Sequence, residues 1–201
     1  MGNHYFTPEK DFKTEICIKN SRFLANLLPA DSSQIGLEKI KHLRSQYKSA
    51  SHHCWAVRIG AGDACVFRYD DDGEPAGTAG RPILQALETR DVSNALLVVT
   101  RYFGGTKLGI GGLIRAYSAA SFAVLDCAAL TKVQPKTLLA LEFEYAFTKS
   151  VQKCISLFDA QITKENYSDR VELHLTVLPE ELKELKSSLT ELTRGKITIH
   201  G

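Results

Sequence analysis

The sequence predicts an α+β chain made of two domains. Three stretches support this. Asn94 to Ala129 reads as a buried strand, a glycine-rich loop and a long helix. The chain before it reads as strand pairs around a helix. The chain after Pro135 supplies a complete βαββαβ order, which is the ferredoxin-like split unit. The expected division is 1–135 for the N-terminal domain and 136–201 for the C-terminal one.

Residues 1–12 are polar and are expected to be loose. Thr14 to Lys19 alternates, with Ile16 and Ile18 on one face. Asn20-Ser21 is a turn signal, and Arg22 to Leu28 is the expected return strand. Asp31 or Ser32 is placed to cap a helix with Ile40, Leu43 and Tyr47 inward. Trp55, Val57 and Ile59 alternate as a third strand. Gly60 to Asp63 is a turn, and Ala64 to Tyr69 a fourth strand. Asp70 to Gly80 is a loop, and Pro82 suits the first turn of a short helix through Leu87.

Ala95 to Thr100 is apolar and β-branched throughout, as a strand covered on both faces would be. Gly104, Gly105, Gly109, Gly111 and Gly112 follow. Each glycine costs about 0.5–1 kcal/mol in a regular element, so this density needs a reason. From Leu113 the spacing turns helical, through Tyr117, Ala120, Val124 and Cys127. The pattern fades between Thr131 and Lys136. Leu139, Leu141, Phe143 and Tyr145 then alternate as a strand. Val151, Cys154, Ile155 and Phe158 have helical spacing. Two strands, Ile162 to Tyr167 and Val171 to Val177, flank a Ser168-Asp169 turn. Pro179 opens a helix carrying Leu182, Leu185, Leu189 and Leu192, Gly195 closes it, and Lys196 to His200 is a last strand.

Composition excludes the extreme classes. The chain is 44% hydrophobic and 24% charged, with a net charge of +2. Its pI of about 8.2 is too mild to argue for nucleic acid by itself. Five scattered cysteines without a CxxC pair fit reduced, mostly buried thiols in the cytoplasm. The N-terminus has no apolar signal region, Gly2 lacks the hydroxyl residue that myristoylation needs at position 6, and no run reads as a membrane span.

The glycine stretch carries the main chemical reading. The first N–H groups of a helix lack partners, and its dipole favours negative charge. Arg101, Lys107 and Arg115 surround the loop, with no acid between Asp91 and Asp126. Arg101, Lys107, Gly109, Gly111, Gly112 and Arg115 are therefore the expected anion or nucleic-acid site, with phosphate or sulfate as the simplest occupant. A tight turn with close helix–sheet packing remains the alternative. Neither the P-loop nor the dinucleotide spacing is present.

His52, His53, Asp71, Asp72, Glu74 and Thr78 are candidate cleft residues. The acidic run fails the EF-hand pattern, since Pro75 and Arg81 stand where glycine and glutamate belong. A solvated loop whose carboxylates fix the turn at Gly73 is the plainer reading, with a weak magnesium site shared with a bound phosphate as the alternative, and no cofactor is expected. His52 and His53 face opposite ways on a strand and cannot ligate one ion without distortion. One buried and one exposed histidine is expected. Cys54 reads as a buried thiol rather than a nucleophile, and there is no GxSxG elbow. Thr78 is free to donate to a phosphate. Tyr102 and Phe103 suit either base stacking or packing at the sheet end.

Two motifs, DDGEPAGTAGRPIL (Asp71 to Leu84) and VVTRYFGGTKLGIGGLIRAYSAA (Val98 to Ala120), resemble the Impact family. IKNSRF (Ile18 to Phe23) and HHCWAVRIG (His52 to Gly60) match it too, and the remainder resembles the small C-terminal domain of bacterial members. The resemblance implies a two-layer N-terminal domain like the second domain of a small-subunit ribosomal protein (S-five). It also implies the domain order of elongation factor G. The eukaryotic member regulates translation, by competing for the activator of a starvation-responsive kinase, and carries an extra N-terminal interaction domain. Here only residues 1–13 precede the first expected strand, so that partner is not carried over.

Two functions follow. One is a non-catalytic, translation-associated regulator that binds RNA, the ribosome or a translation-regulating protein through the basic loop. The other is a phosphate- or nucleotide-handling enzyme using the same loop. Leu113-Ile114-Arg115 stand where small-molecule kinases of related fold carry small hydroxyl residues, which favours the first.

Overall fold

The structure, a computed structural model, describes residues 4–62 and 65–201. The expected loose residues 1–3, Asp63 of the expected turn and Ala64 at the start of the fourth strand lie outside the described residues. The chain divides into two compact units, 2–133 and 134–201.

In the first unit the elements are β1 (Tyr5–Pro8), β2 (Phe12–Ile18), β3 (Ser21–Pro29), α1 (Ser33–Gln46), β4 (His52–Ile59), β5 (Val66–Asp70), α2 (Gly80–Thr89), β6 (Ala95–Tyr102), α3 (Gly109–Cys127) and β7 (Leu130–Val133). Five strands form one antiparallel sheet in the order β2-β3-β6-β4-β5. β6 is the middle strand, and its side chains are buried on both faces. Leu97 and Val99 join Phe23, Ala56, Ile83, Tyr117 and Val124 in the core under α2 and α3. Leu96 and Val98 join Ile40, Leu43 and Trp55 in a smaller core under α1. The sheet and the α2–α3 pair are thus the principal layers, and α1 covers the opposite face.

Local chemistry explains the element ends. Ile18 pairs with Ser21, leaving Lys19 and Asn20 at φ 48° and 68° as the two-residue turn of the β2–β3 hairpin. Ser32 caps α1, its Oγ accepting from the Ile35 N–H at 3.3 Å. α3 has the length and apolar composition of a membrane span, but Leu113, Ala116, Tyr117, Ala120 and Val124 are spent on the core of the first unit.

Two strands escape the sequence reading. β1 and β7 pair antiparallel, Tyr5 with Val133 and Pro8 with Leu130, where the sequence predicts loose chain and a fading pattern. Each is only four residues, too short to show a period, and the partners are far apart in the chain. The cysteines also differ from expectation. Cys54 and Cys154 are buried, but Cys17 and Cys127 are exposed and Cys65 is intermediate; all are free thiols.

The second unit contains β8 (Thr137–Phe143), a 3-10 turn (Tyr145–Phe147), α4 (Thr148–Ile155), β9 (Gln161–Tyr167), β10 (Val171–Val177), α5 (Leu182–Leu192) and β11 (Thr198–His200). Its antiparallel sheet runs β11-β8-β10-β9. With two helices on one face, this is the ferredoxin-like arrangement. Leu139, Leu141, Phe143, Leu173, Leu175, Leu185 and Leu189 form its own core.

Candidate functional site

The two sequence motifs meet at the end of the central sheet. β6 delivers Arg101, paired across the ladders with Phe23 of β3 and His52 of β4. Side chains alternate along a strand, so Arg101 shares the helix-covered face with Leu97 and Val99. α3 brings Tyr117 over the same place. The loop after β5 brings Glu74.

These groups form a buried polar network. Arg101 Nη1 donates to Glu74 Oε1 at 2.6 Å, with the side chains 6% and 4% exposed. The Tyr117 hydroxyl donates to the same oxygen at 2.8 Å. Cys54 Sγ lies 3.3 Å from that hydroxyl and 3.0 Å from the Asp71 carbonyl. Burial pushes both the Cys54 thiol and the Tyr117 phenol up, well above their ordinary ranges. Burial thus favours the neutral form of both. The Arg101 guanidinium lies between the rings of Phe23 and Phe103, at 5.6 and 5.4 Å from their centroids.

Arg101 therefore departs from the reading of a cation surrounding an open loop. It is 5% exposed and already holds a carboxylate. Glu74 departs equally from a solvated acidic loop. Tyr117 reads in sequence only as an apolar helix position. A signal was available there, because a tyrosine on a core stripe brings a hydroxyl that needs a partner.

The other acids serve the loop itself. Asp71 Oδ1 accepts from the N–H groups of Ala79 and Gly80 at 2.9 and 2.8 Å, and Oδ2 from Gly77 at 2.8 Å. It thus caps the head of α2. Asp72 Oδ2 accepts from the His53 N–H at 2.6 Å, and Oδ1 pairs with Arg44. Thr78 is 2% exposed and its hydroxyl donates to the Pro75 carbonyl at 2.6 Å, so it is not open to a phosphate.

The histidines split. His53 is buried, with Nδ1 3.1 Å from the Thr100 hydroxyl. Desolvation holds its pKa below the ordinary histidine range, with Arg44 and His52 adding to the shift and Asp72 opposing it. His52 is partly exposed. Its Nδ1 donates to the Asp72 carbonyl at 2.8 Å, which leaves Nε2 facing Glu74 Oε1 at 3.9 Å.

Above the network the head of α3 opens on a cavity of about 360 Å3. Glu74 and Arg101 are on its floor, Phe103, Leu108 and Leu113 on its walls, and Lys107 on its rim. Among the described residues no side chain caps the first turn of α3. Gly109 takes φ 71° and lines the cavity. Gly111 is in open space except for Arg115, whose Nη1 lies 3.5 Å from where a Cβ would stand. Lys107 and Arg115 are exposed. Arg101, Lys107, Gly109, Gly111, Gly112 and Arg115 thus lie around one helix end, Arg101 beneath it and the others on it.

Comparison with known proteins bears directly on these motifs. The Impact N-terminal domain matches residues 19–125, which include both loops. The chain belongs to the Impact family. A second match, a domain of unknown function (DUF1949), covers 141–196 in the ferredoxin-like unit. The Impact family member YvyE of Bacillus subtilis is 34% identical over 199 residues, covering 99% of this chain and 91% of that protein. The Impact family member YigZ of Escherichia coli is 32% identical over 183 residues, 90% of each. A crystal structure described as that of a hypothetical protein superposes with a TM-score of 0.68 at 30% identity, over 99% of this chain and 97% of that one.

Proposed function

We propose that this Impact family member is a non-catalytic regulator in translation. It acts in the cytoplasm and binds RNA or the ribosome through the head of α3 and its glycine loop. One observation supports this most. The uncapped first turn of α3 stands beside two exposed cations, Lys107 and Arg115, with no acid of its own loop to oppose them. Free N–H groups, the positive end of the dipole and exposed cations are what a phosphate backbone meets. The resemblance to the family whose eukaryotic member regulates translation supports the setting. The buried, raised Cys54 and Tyr117 and the locked Thr78 speak against the phosphate-handling enzyme.

The test is sedimentation with ribosomes at low salt, together with gel shifts of a folded RNA over a salt series. Lys107→Ala with Arg115→Ala should weaken binding and lower the log–log salt slope. The expected drop is about 0.7–0.9 for each phosphate no longer neutralised. The parent staying out of ribosomal fractions and giving no RNA shift overturns the reading, and a protein partner then takes its place.

A further inference from the structure

We propose that an RNA backbone crosses the end of the first unit's sheet, with Lys19 and Lys48 holding its phosphates on either side of the glycine loop. The proposal rests on the RNA reading above. It extends the contact surface from the head of α3 to two further segments of the chain.

Three segments meet at this end of the sheet. β3 and β4 are the neighbours of β6, so the β2–β3 turn and the chain entering β4 flank the exit of β6. Hydrogen bonds join them. The Gly104 N–H donates to Ser21 Oγ at 3.1 Å, and the Phe103 N–H to Ser51 Oγ at 3.2 Å. The Ser51 N–H donates to the Arg101 carbonyl at 2.8 Å. A Cβ on Gly104 would stand 2.1 Å from the Asn20 carbonyl oxygen, so turn and loop touch backbone to backbone. The three segments thus form one joined edge. Lys19 stands on the turn, Lys48 on the chain before β4 and Lys107 on the glycine loop, and all three are exposed. β3 and β4 lie two strand spacings apart, about 10 Å, with the glycine loop leaving between them.

Charge on this edge is sorted by residue type. Glu15 is held by Arg22, Asp72 by Arg44 and Glu74 by Arg101. The Asp71 carboxylate accepts from the N–H groups of Gly77, Ala79 and Gly80. These acids are therefore used up inside the fold. Lys19, Lys48, Lys107 and Arg115 make no ion pair among the described residues. A single unpaired lysine is an ordinary solvated group. Lysines on each of three joined segments, with the neighbouring carboxylates already matched, make a continuous cationic edge. Lysine binds phosphate as a compact point charge and needs no fixed approach angle. Such an edge positions a phosphate backbone without reading its bases. Lys48 also follows the C-cap of α1, where a cation suits the helix dipole, so its test needs a stability readout.

The test is the gel shift of the same folded RNA by the full chain over a salt series, with unfolding temperatures measured alongside. Lys19→Ala and Lys48→Ala should each lower the log–log salt slope by about 0.7–0.9, and the double variant by about 1.4–1.8. Lys19→Arg should keep the parent slope. Lys10→Ala, at the opposite end of β2, should keep it too. Unfolding temperatures should stay at the parent value. If either Lys19→Ala or Lys48→Ala keeps the parent slope, the crossing is overturned. A lower unfolding temperature with an unchanged slope for Lys48→Ala assigns that lysine to α1 and overturns it as well. So does a Lys10→Ala slope that falls as far as the others, because the effect is then one of net charge. In each of these cases loss of binding on Lys107→Ala with Arg115→Ala spares the RNA reading. A parent that gives no RNA shift removes both.

Discussion

Arg101 at the end of β6 reads in sequence as an open cation, yet it lies beneath α3 with Glu74. The parity of the strand points to this, since Leu97, Val99 and Arg101 share the covered face. What the sequence could not name was the partner, which comes from a loop 27 residues away. Removing one member of a buried pair strands the other charge. Arg101→Ala is therefore expected to cost about 3–5 kcal/mol of stability, measured by urea unfolding. A loss under about 1 kcal/mol would mean that Glu74 finds another partner. His53 gives a pH dependence. Its folded pKa lies below the ordinary value of 6.5, so the fold prefers neutral imidazole. That contribution is complete above the unfolded pKa and is lost as pH falls from about 6.5 through the lower folded value. Urea midpoints measured from about pH 7.5 to 5 should fall less steeply for His53→Gln than for the parent. Parallel curves would remove His53 as the cause.

The glycine loop shows how one element hides several tasks. Its density is plain in the sequence, which leaves two explanations open, anion approach or packing. The structure divides the glycines between them. A Cβ on Gly104 would stand 2.0 Å from the Asn20 carbonyl carbon and 2.3 Å from the Ser21 nitrogen, so the loop packs directly on the β2–β3 turn. Gly111 has no such neighbour. Gly104→Ala should thus destabilise the protein or prevent its folding. Gly111→Ala should keep or raise the unfolding temperature, since alanine is favoured over glycine in a helix by up to about 1 kcal/mol. If the first turn receives a phosphate, the same Gly111→Ala should weaken RNA binding. A strong loss of stability at Gly111, or none at Gly104, would reverse this division. The local sequence contains no trace of it, because the neighbour of Gly104 belongs to a hairpin over 80 residues earlier, as its bond to Ser21 Oγ across 83 positions shows.

For the whole molecule, the second unit carries a complete core of its own. We expect residues 136–201 expressed alone to unfold cooperatively in urea, with modest stability because small domains bury a smaller fraction of their surface. A broad, non-cooperative transition would show that this unit depends on the first. The β1–β7 pair bears on the other boundary. It ties residues 5–8 to 130–133, so the first unit needs both of its ends. Deleting residues 1–9 should lower the unfolding temperature of the full chain, whereas a loose leader would leave it unchanged.

Periodicity and punctuation are local, and they are what the sequence by itself determined. It placed α1 behind Asp31 or Ser32, the buried run of β6 and the βαββαβ order of the second unit, and it began the helical pattern of α3 at Leu113, four residues past the helix's first residue, Gly109. The two loop motifs marked the family. What only the tertiary structure decided was which polar side chains are already matched. Asp71 caps α2, Asp72 holds β4, Thr78 closes its own turn, and Arg101 holds Glu74 under Tyr117. The physical reason is that a hydrogen bond is set by register across strands and by a helix crossing above them. Neither leaves a local pattern in the chain, so an arginine already paired with a buried carboxylate and an arginine awaiting a phosphate look alike until the sheet is assembled.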